Sequence, residues 1–261
     1  MKNLGIIRGL KSIIAFLTII PIKNDSSLED MGKYMPLFPL VGLLIGFLSG
    51  IFSWFLLNLI PRLIVGILTL GFILLITGLH HTDGLLDFGD GIMYQGPPDK
   101  KIEVMHDKQT GAGGLSFGLI VLMSTALSIS FLTKDNIIQC LILAEVSAKL
   151  AMVIIAWTGK SAHKGLGTYC VDAMHGNYRI LRLIVSLAIC FIVVIIFMLI
   201  NGFLMLIIGS IVIISAIIVS LILVLISNRH FNGVTGDVFG AANEITRMTS
   251  LIMILVISRW A

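Results

Sequence analysis

Seven long apolar stretches dominate the amino-acid sequence, and most of them are close to 20 residues in length. A helix rises about 1.5 Å per residue and the hydrocarbon core of a bilayer is about 30 Å thick, so about 20 apolar residues cross it. Of the 261 residues, 57% are hydrophobic and only 12% are charged, whereas about 25% are charged in a soluble domain. We therefore predict an all-α fold, a polytopic membrane helix bundle that forms a single integral membrane domain over residues 1–261, with about seven transmembrane helices (roughly six to eight). The stretches are residues 37–60, 63–79, 114–132, 137–157, 180–200, 202–226 and about 238–258.

Very short polar turns separate three pairs of neighbouring stretches. They lie at residues 61–62, 134–136 and 201–202. A short connection favours antiparallel packing of the two helices that it joins, so we predict three helical hairpins.

The basic residues predict how the bundle is oriented. If all seven stretches cross the bilayer, the long polar connections share one side with most of the 18 Lys and Arg residues, including Lys23. The other side has only Arg62, Lys134 and Arg259. Positive charge is retained on the cytoplasmic side, so we predict a multi-pass protein of the cell membrane whose amino terminus, long connections and active site are cytoplasmic. The formal charge of +4 follows from this topology, and no nucleic-acid partner is predicted.

The amino-terminal segment is too short to cross a bilayer. Lys2, Arg8 and Lys11 precede an apolar run at residues 13–20, which superficially resembles a signal peptide. No small-residue cleavage site follows, and Pro21 comes directly after the run. We predict an interfacial or re-entrant helix at this point.

The densest polar cluster, HHTDGLLDFGDG at residues 80–91, follows the second apolar stretch. In a helix, Asp83, Asp87 and Asp90 would lie within about 60° of arc. His80 would share their face. Three adjacent carboxylates repel one another unless a cation neutralises them, and Mg²⁺ binds carboxylate oxygens together with substrate phosphates, so we predict a diphosphate-handling magnesium site. The alternative is a solvated acidic loop, because the glycines of this segment weaken a helix.

A glycine-rich stretch, MHDKQTGAGG at residues 105–114, leads into the third apolar stretch. Glycines let backbone amides approach a phosphate, and Lys108 adds positive charge. We predict that Asp107, Lys108 and Gly111 contribute to substrate binding. The same glycines are equally typical of a flexible start to a helix, and the motif alone does not decide between the two.

Another polar stretch, beginning near Arg229, precedes the last apolar segment. Asp237 and Glu244 are seven residues apart and would share one face of a helix. The backbone donors around Thr235 and Gly236 begin that helix and are suited to an anion. Because charged residues that enter a spanning helix point into the protein by default, we predict that this stretch belongs to the same site. The alternative for Asp237 is that it only caps the helix.

Two charged residues lie in the middle of the fourth apolar stretch. Glu145 and Lys149 are four residues apart, so the simplest interpretation is a mutual ion pair that makes both tolerable in the membrane. Intramembrane charges often mark functional sites, and a role in the site stays open.

These residues resemble the cobalamin synthase family, the adenosylcobinamide-GDP ribazoletransferases, almost from end to end. His81, rather than His80, aligns with the histidine of the family motif. The sequence departs from the family at Ile19, His106 and Gln109, where members often carry arginine, so contacts attributed to those arginines do not transfer. The matching elements are FLTIIP at 16–21, FPLVGLLIG at 38–46, HTDGLLDFGDG at 81–91, MHDKQTG at 105–111, GLG at 165–167 and GVTGDVFGAANE at 233–244.

The resemblance implies a transferase of cobalamin biosynthesis. It would join α-ribazole, or its 5′-phosphate, to adenosylcobinamide-GDP and release GMP, with Mg²⁺ as cofactor and the lipid bilayer as its surroundings; a homo-oligomer stays open. His81, or as second choice His80, is the candidate general base, because histidine titrates near neutrality. The acidic residues are assigned as follows: Asp83, Asp87 and Asp90 as metal ligands, and Asp237 and Glu244 as a second carboxylate face for metal or acceptor.

Two other classes of membrane protein share some of these features. A CDP-alcohol or prenyl-diphosphate transferase would also use spaced aspartates, but the former needs a longer aspartate pattern and the latter a second aspartate-rich motif. A transporter would distribute its acidic residues through the depth of the membrane, whereas here they concentrate at one face.

Overall fold

A computed structural model describes residues 2–22 and 28–260 of the chain. Lys23, one of the basic residues of the predicted cytoplasmic side, lies outside this part. Within the described residues there are twelve α-helices, a short 3₁₀ helix at Met35–Leu37, and no β-strand. The α-helices are α1 (Lys2–Leu17), α2 (Leu28–Lys33), α3 (Phe38–Leu56), α4 (Arg62–Ile76), α5 (His80–Met93), α6 (Pro98–Met105), α7 (Ala112–Ser130), α8 (Ile137–Thr158), α9 (Leu166–His175), α10 (Arg179–Asn201), α11 (Phe203–Phe231) and α12 (Gly236–Trp260).

Six of the described helices are long and apolar enough to cross a membrane. They are α3 with its preceding 3₁₀ turn, α7, α8, α10, α11 and α12. A seventh span is present if α4 and α5 are counted as one broken span, since the two are bent by 98°. The predicted all-α membrane bundle is thus confirmed, and its helix count lies within the predicted range. That residues 1–261 form one domain stays a prediction.

The fourth apolar stretch becomes the central helix of the bundle. Nearly every residue of α8 from Ile137 to Ala156 is buried, because α3, α10, α11 and α12 pack around it. A helix that is apolar on all sides is expected at such a position. On α3, Gly42 and Gly46 allow the close approach, since a Cβ at either would lie 2.5 Å from the α8 backbone. Small residues four apart commonly permit such contact between membrane helices.

The three short turns do not all produce packed hairpins. α3 packs against α4, and α10 packs against α11, as predicted. α7 instead packs against α4, α5 and α12 rather than along α8, its neighbour in sequence. The hairpin prediction is therefore wrong for this pair, because burial of α8 among four other helices outweighs the short connection.

The amino-terminal helix α1 has 16 residues and packs against α2 and α3. Ile13 and Leu17 are buried on its inner face. After the helix ends, the amide of Ile19 donates to the carbonyl of Ile76 at 2.8 Å, so this segment is attached to the end of α4. The short helix agrees with the sequence, and its depth in the membrane stays a prediction.

Candidate active site

The bend between α4 and α5 sets the position of the acidic helix. Gly78 and Leu79 both adopt left-handed backbone angles, with φ of 66° and 63°. This conformation is uncommon for a residue other than glycine. At Gly78 a Cβ would lie 2.9 Å from the side chain of Ile19, so glycine is required there for space as well as for φ. The two residues turn the chain through 98°, so the axis of α5 is nearly perpendicular to that of α4. The bend lies immediately before the acidic residues.

The segment with three aspartates is a helix, as its spacing predicts, and not a loop. Asp83 is exposed, while Asp87 and Asp90 are half-buried. Burial chiefly, and then the negative charges of Asp237 and Asp83, raise the pKa of Asp87 to about 7. Carboxylates from α5 and α12 therefore lie close enough to act on one another.

Asp90 has a structural contact that the sequence did not reveal. Its carboxylate oxygens accept hydrogen bonds from the amides of Gly111 and Gly114, both at 2.7 Å. These amides belong to the start of α7, where backbone N–H groups lack helical partners. Asp90 thus caps α7 from a neighbouring helix, and the amide of Gly111 donates to it. The metal role of Asp90 and the substrate role of Gly111 stay predictions.

Thr235, not Asp237, caps the last helix. The Thr235 hydroxyl accepts from the amide of Val238 at 3.4 Å and donates to Asp237 at 3.2 Å. Asp237 is therefore not the N-cap residue, but its half-buried carboxylate lies in the first turn of α12 and accepts a hydrogen bond from its own backbone amide.

Direct backbone contact between α5 and α12 brings the two acidic segments together. A Cβ on Gly240 would lie 2.8 Å from the carbonyl oxygen of His81, and one on Gly84 would lie 2.9 Å from the backbone of Asp237. Only glycine fits at such a separation. The acidic face of α5 and the first turn of α12 are consequently held at the closest distance that two helices allow.

The two histidines of the motif occupy different environments. His80 is exposed, whereas His81 is 6% exposed and its Nδ1 is buried without a hydrogen-bond partner among the described residues. Burial chiefly, and the positive charges of Lys149 and Arg247, hold the pKa of His81 well below its ordinary value. A neutral imidazole with an unpaired ring nitrogen is able to accept a proton.

Both histidines also line a cavity of about 410 Å³ between α1, α5, α8, α9 and α12. Apart from the histidines its walls are apolar or glycine, and they include Phe16, Met152 and Phe239. A concave, mostly apolar volume with a few polar groups is the usual form of a small-molecule site.

Two polar loops meet beside the carboxylates. Residues 160–162 and Val234 exchange two backbone hydrogen bonds, of 2.8 and 3.0 Å. The rings of His106 and His163 are 5.4 Å apart and nearly perpendicular. His106 is close enough to Asp237 to act on it electrostatically. The sequence marked His106 as a departure from the family, but it did not predict the contact with His163, since residues 57 positions apart show no spacing pattern that would join them.

Glu244 lies in a buried charge network. Arg247 donates to Glu145 on α8 and to Glu244 on its own helix, and Asn243 donates to Glu244 at 3.1 Å. Lys149 donates to Asn243 and lies 3.9 Å from Glu145. All five side chains are fully buried. The predicted Glu145–Lys149 pair is present, but each residue has a closer partner on α12, and the second-carboxylate role of Glu244 stays a prediction.

The remaining predicted substrate contacts are at the surface. Asp107 and Lys108 are exposed in the connection between α6 and α7, and Asp107 accepts from the amide of Gln109 at 3.2 Å. Arg229 is exposed near the end of α11, and Gly236 lines the cavity. Among the described residues, no three His, Cys, Asp or Glu side chains converge closely enough to form a metal site by themselves.

Comparison with known proteins extends over almost the whole chain. Residues 9–255 match the family model described as cobalamin-5-phosphate synthase. A protein from Methanocella arvoryzae is 36% identical, with 95% of both chains covered. One from Methanococcoides burtonii is 34% identical, covering 97% of this chain and 93% of the relative, and one from Thermococcus kodakarensis is 32% identical, covering 95% and 98%. All three are named adenosylcobinamide-GDP ribazoletransferase.

No solved structure matches the chain significantly. The family model covers nearly all of the sequence, including every segment that forms the acidic face and the loops around it. The chain therefore belongs to the cobalamin-5-phosphate synthase family.

Proposed function

We propose that this protein joins α-ribazole, or its 5′-phosphate, to adenosylcobinamide-GDP and releases GMP. The observation that carries the proposal is the match to relatives named for this reaction, which spans almost the full length of both chains. The alternative transferase and transporter functions find no such support. The acidic face of α5 beside the start of α12 suits a reaction between phosphate-bearing substrates.

The reaction is a substitution at phosphorus. A ribose hydroxyl oxygen of the nucleoside attacks the phosphorus that carries cobinamide, the bond from that phosphorus to the oxygen of GMP breaks, and the hydroxyl proton passes to a base. With the 5′-phosphate as acceptor, the same hydroxyl attacks, and the 5′-phosphate group stays unchanged in the product. Such reactions depend mainly on positioning and on stabilisation of negative charge, with little covalent chemistry from the protein.

His81 is the base in this proposal. Its imidazole is neutral because its pKa is lowered, and its Nδ1 has no partner among the described residues. It also borders the cavity beside the acidic face, where an acceptor hydroxyl would reach it. His80, exposed at the same cavity, is the second candidate.

The carboxylates fit a magnesium ion. Asp83 and Asp87 on α5 and Asp237 on α12 act on one another electrostatically, and burial, followed by the negative charges of the other two, raises the pKa of Asp87 to about 7. Mg²⁺ usually keeps several waters and needs only one or two carboxylates in addition to substrate phosphates, so three converging side chains are not required. When bound, the ion neutralises negative charge on the diphosphate. Asp83, Asp87 and Asp237 would hold it.

Exposed basic residues around the site would bind the diphosphate. Lys108 precedes α7, and Arg229 lies in the last turn of α11. The site faces the cytoplasm and the protein resides in the cell membrane, which the uneven distribution of basic residues supports.

The test uses purified protein in lipid nanodiscs with adenosylcobinamide-GDP, α-ribazole and Mg²⁺. GMP and the corrinoid product should appear in equal amounts, and both should disappear without Mg²⁺ or in Asp83→Asn. The matched control is Asp135→Asn, an exposed aspartate in the turn between α7 and α8, which should retain activity. Absence of product from folded wild-type protein would contradict the proposal.

A further inference from the structure

Residues from five helices line the cavity of about 410 Å³. Ala15 and Phe16 come from α1, Met152 from α8, Cys170 from α9 and Phe239 from α12. All five side chains lack a charge, and Cys170 and Phe239 are each 4% exposed. The space is therefore built into the fold where several elements meet.

The cavity adjoins the acidic face through lining residues on two helices. On α5, His80 lines the cavity and lies three residues before Asp83, which places the two side chains on one face of the helix. On α12, Gly236 lines the cavity and directly precedes Asp237. A ligand that filled the cavity would therefore have one end next to the carboxylates.

We propose that this cavity holds the aromatic base of the nucleoside acceptor, with the sugar directed toward His81 and the acidic face. The proposal rests on the proposed function, and it assigns one of the two substrates to a defined place. A benzimidazole base is planar, uncharged and largely apolar, so it fits walls that include Phe16 and Phe239. The sugar hydroxyl is polar and meets His80 and His81, the two imidazoles in the described part of the lining.

The polar parts of the donor fit this space poorly. Guanine has several hydrogen-bond donors and acceptors, and an apolar wall would leave most of them unpaired, which is unfavourable for each group. The diphosphate is charged and belongs beside cations. The corrin carries many amide groups, and an apolar wall would leave their hydrogen-bonding atoms unpaired as well. Of the two substrates, only the base of the acceptor has a surface that matches the lining.

Two substitutions from different helices test the assignment. Ala15→Phe on α1 fills part of the cavity, and Leu166→Trp adds bulk at its rim, where Leu166 is 43% exposed. Neither residue belongs to the acidic face. Ile7→Phe adds a ring to the same helix as Ala15 at a residue that is 56% exposed, and Leu199→Trp adds the same bulk to α10 at a residue that is 75% exposed. The last two serve as controls.

Binding of α-ribazole and of adenosylcobinamide-GDP is measured separately by calorimetry with each protein in nanodiscs. Ala15→Phe and Leu166→Trp should raise the Kd for α-ribazole about tenfold, equivalent to about 1.4 kcal/mol. The Kd for the donor should stay within about twofold, which also shows that the variants are folded. Both controls should bind α-ribazole as the wild type does, and guanosine should not compete with it.

The outcomes separate this inference from the proposed function. If the wild-type protein transfers α-ribazole but both bulky variants bind it normally, the cavity assignment is wrong and the proposed function stands. A raised Kd for the donor alone, or effective competition by guanosine, also overturns the assignment. If the wild type neither binds α-ribazole nor forms product, both proposals fail.

Discussion

Replacing Arg247 with methionine should strongly destabilise the protein. Its guanidinium is fully buried between Glu145 of α8 and Glu244 of α12, and it bonds to both. The network has two carboxylates and two cations, so Arg247→Met leaves both carboxylates with Lys149 as their only cation. Removing one partner of a buried ion pair costs about 3–5 kcal/mol, because an uncompensated charge stays buried.

Thermal unfolding in nanodiscs measures this effect. A change of 1 kcal/mol shifts Tm by about 2–4 °C in a domain of this size, so Arg247→Met should lower Tm by about 10 °C. Arg259→Met, at an exposed residue near the end of α12, is the matched control and should change stability by less than about 0.5 kcal/mol.

A second substitution tests whether charge balance is the cause. Glu145→Gln alone leaves one carboxylate and two cations, an excess of one positive charge. Combined with Arg247→Met, it leaves one carboxylate, Glu244, and one cation, Lys149, whose charges balance. The double variant should therefore be more stable than the sum of the single effects predicts, by about 0.5–3 kcal/mol. If Arg247→Met unfolds at the wild-type temperature, or if the two effects simply add, the network does not stabilise the fold by charge compensation.

Three further predictions concern the site. Asp90→Asn should lower the free energy of unfolding by about 1–2 kcal/mol, because one capped amide loses its acceptor. Asp83→Asn should leave Tm unchanged and abolish transfer. Equal Tm values for the two variants in a thermal scan would contradict the capping role of Asp90. Gly240→Ala places a Cβ 2.8 Å from a carbonyl of α5 and should reduce both Tm and kcat. As the control, Gly71→Ala places a Cβ with no atom within 4 Å and should raise the free energy of unfolding by up to about 1 kcal/mol. Unchanged Tm and kcat in Gly240→Ala would mean that the two helices can separate without consequence. Because the pKa of Asp87 is raised to about 7, the folded chain keeps a proton that the unfolded chain loses near pH 4, so metal-free stability should fall as pH rises from about 4 to about 7. Stabilisation by Mg²⁺, read as a rise in Tm, should then be larger at pH 8 than at pH 6, and an equal rise at both would exclude Asp87 as a ligand.

Local features of the site followed from the sequence. The spacing of Asp83, Asp87 and Asp90 predicted a helix with one acidic face, and α5 is that helix. Such predictions succeed because side chains three and four residues apart are neighbours on any helix. The long apolar stretches likewise identified the spanning helices, since length and hydropathy are properties of the segment alone.

Contacts between distant segments did not follow from the sequence. Glu145 has a neighbour with the right charge and spacing in Lys149, yet its closest partner, Arg247, lies 102 residues away. Asp90 looked like its two acidic neighbours, but it bonds to amides 21 and 24 residues further along. The pairing of such residues depends on which helices pack against one another, and local sequence spacing does not predict those helix–helix contacts.

The membrane-buried network and the acidic face are joined through α12. The first turn of this helix carries Asp237, and its middle carries the Arg247 network, which fixes the depth and rotation of α12 against α8. Gly240 lies between these points and sets the distance from α12 to α5. The separation between the carboxylates of the two helices is therefore determined by contacts within the bundle rather than by the exposed loops. Activity should accordingly be more sensitive to the buried charges than to substitutions in the loops that carry no site residue.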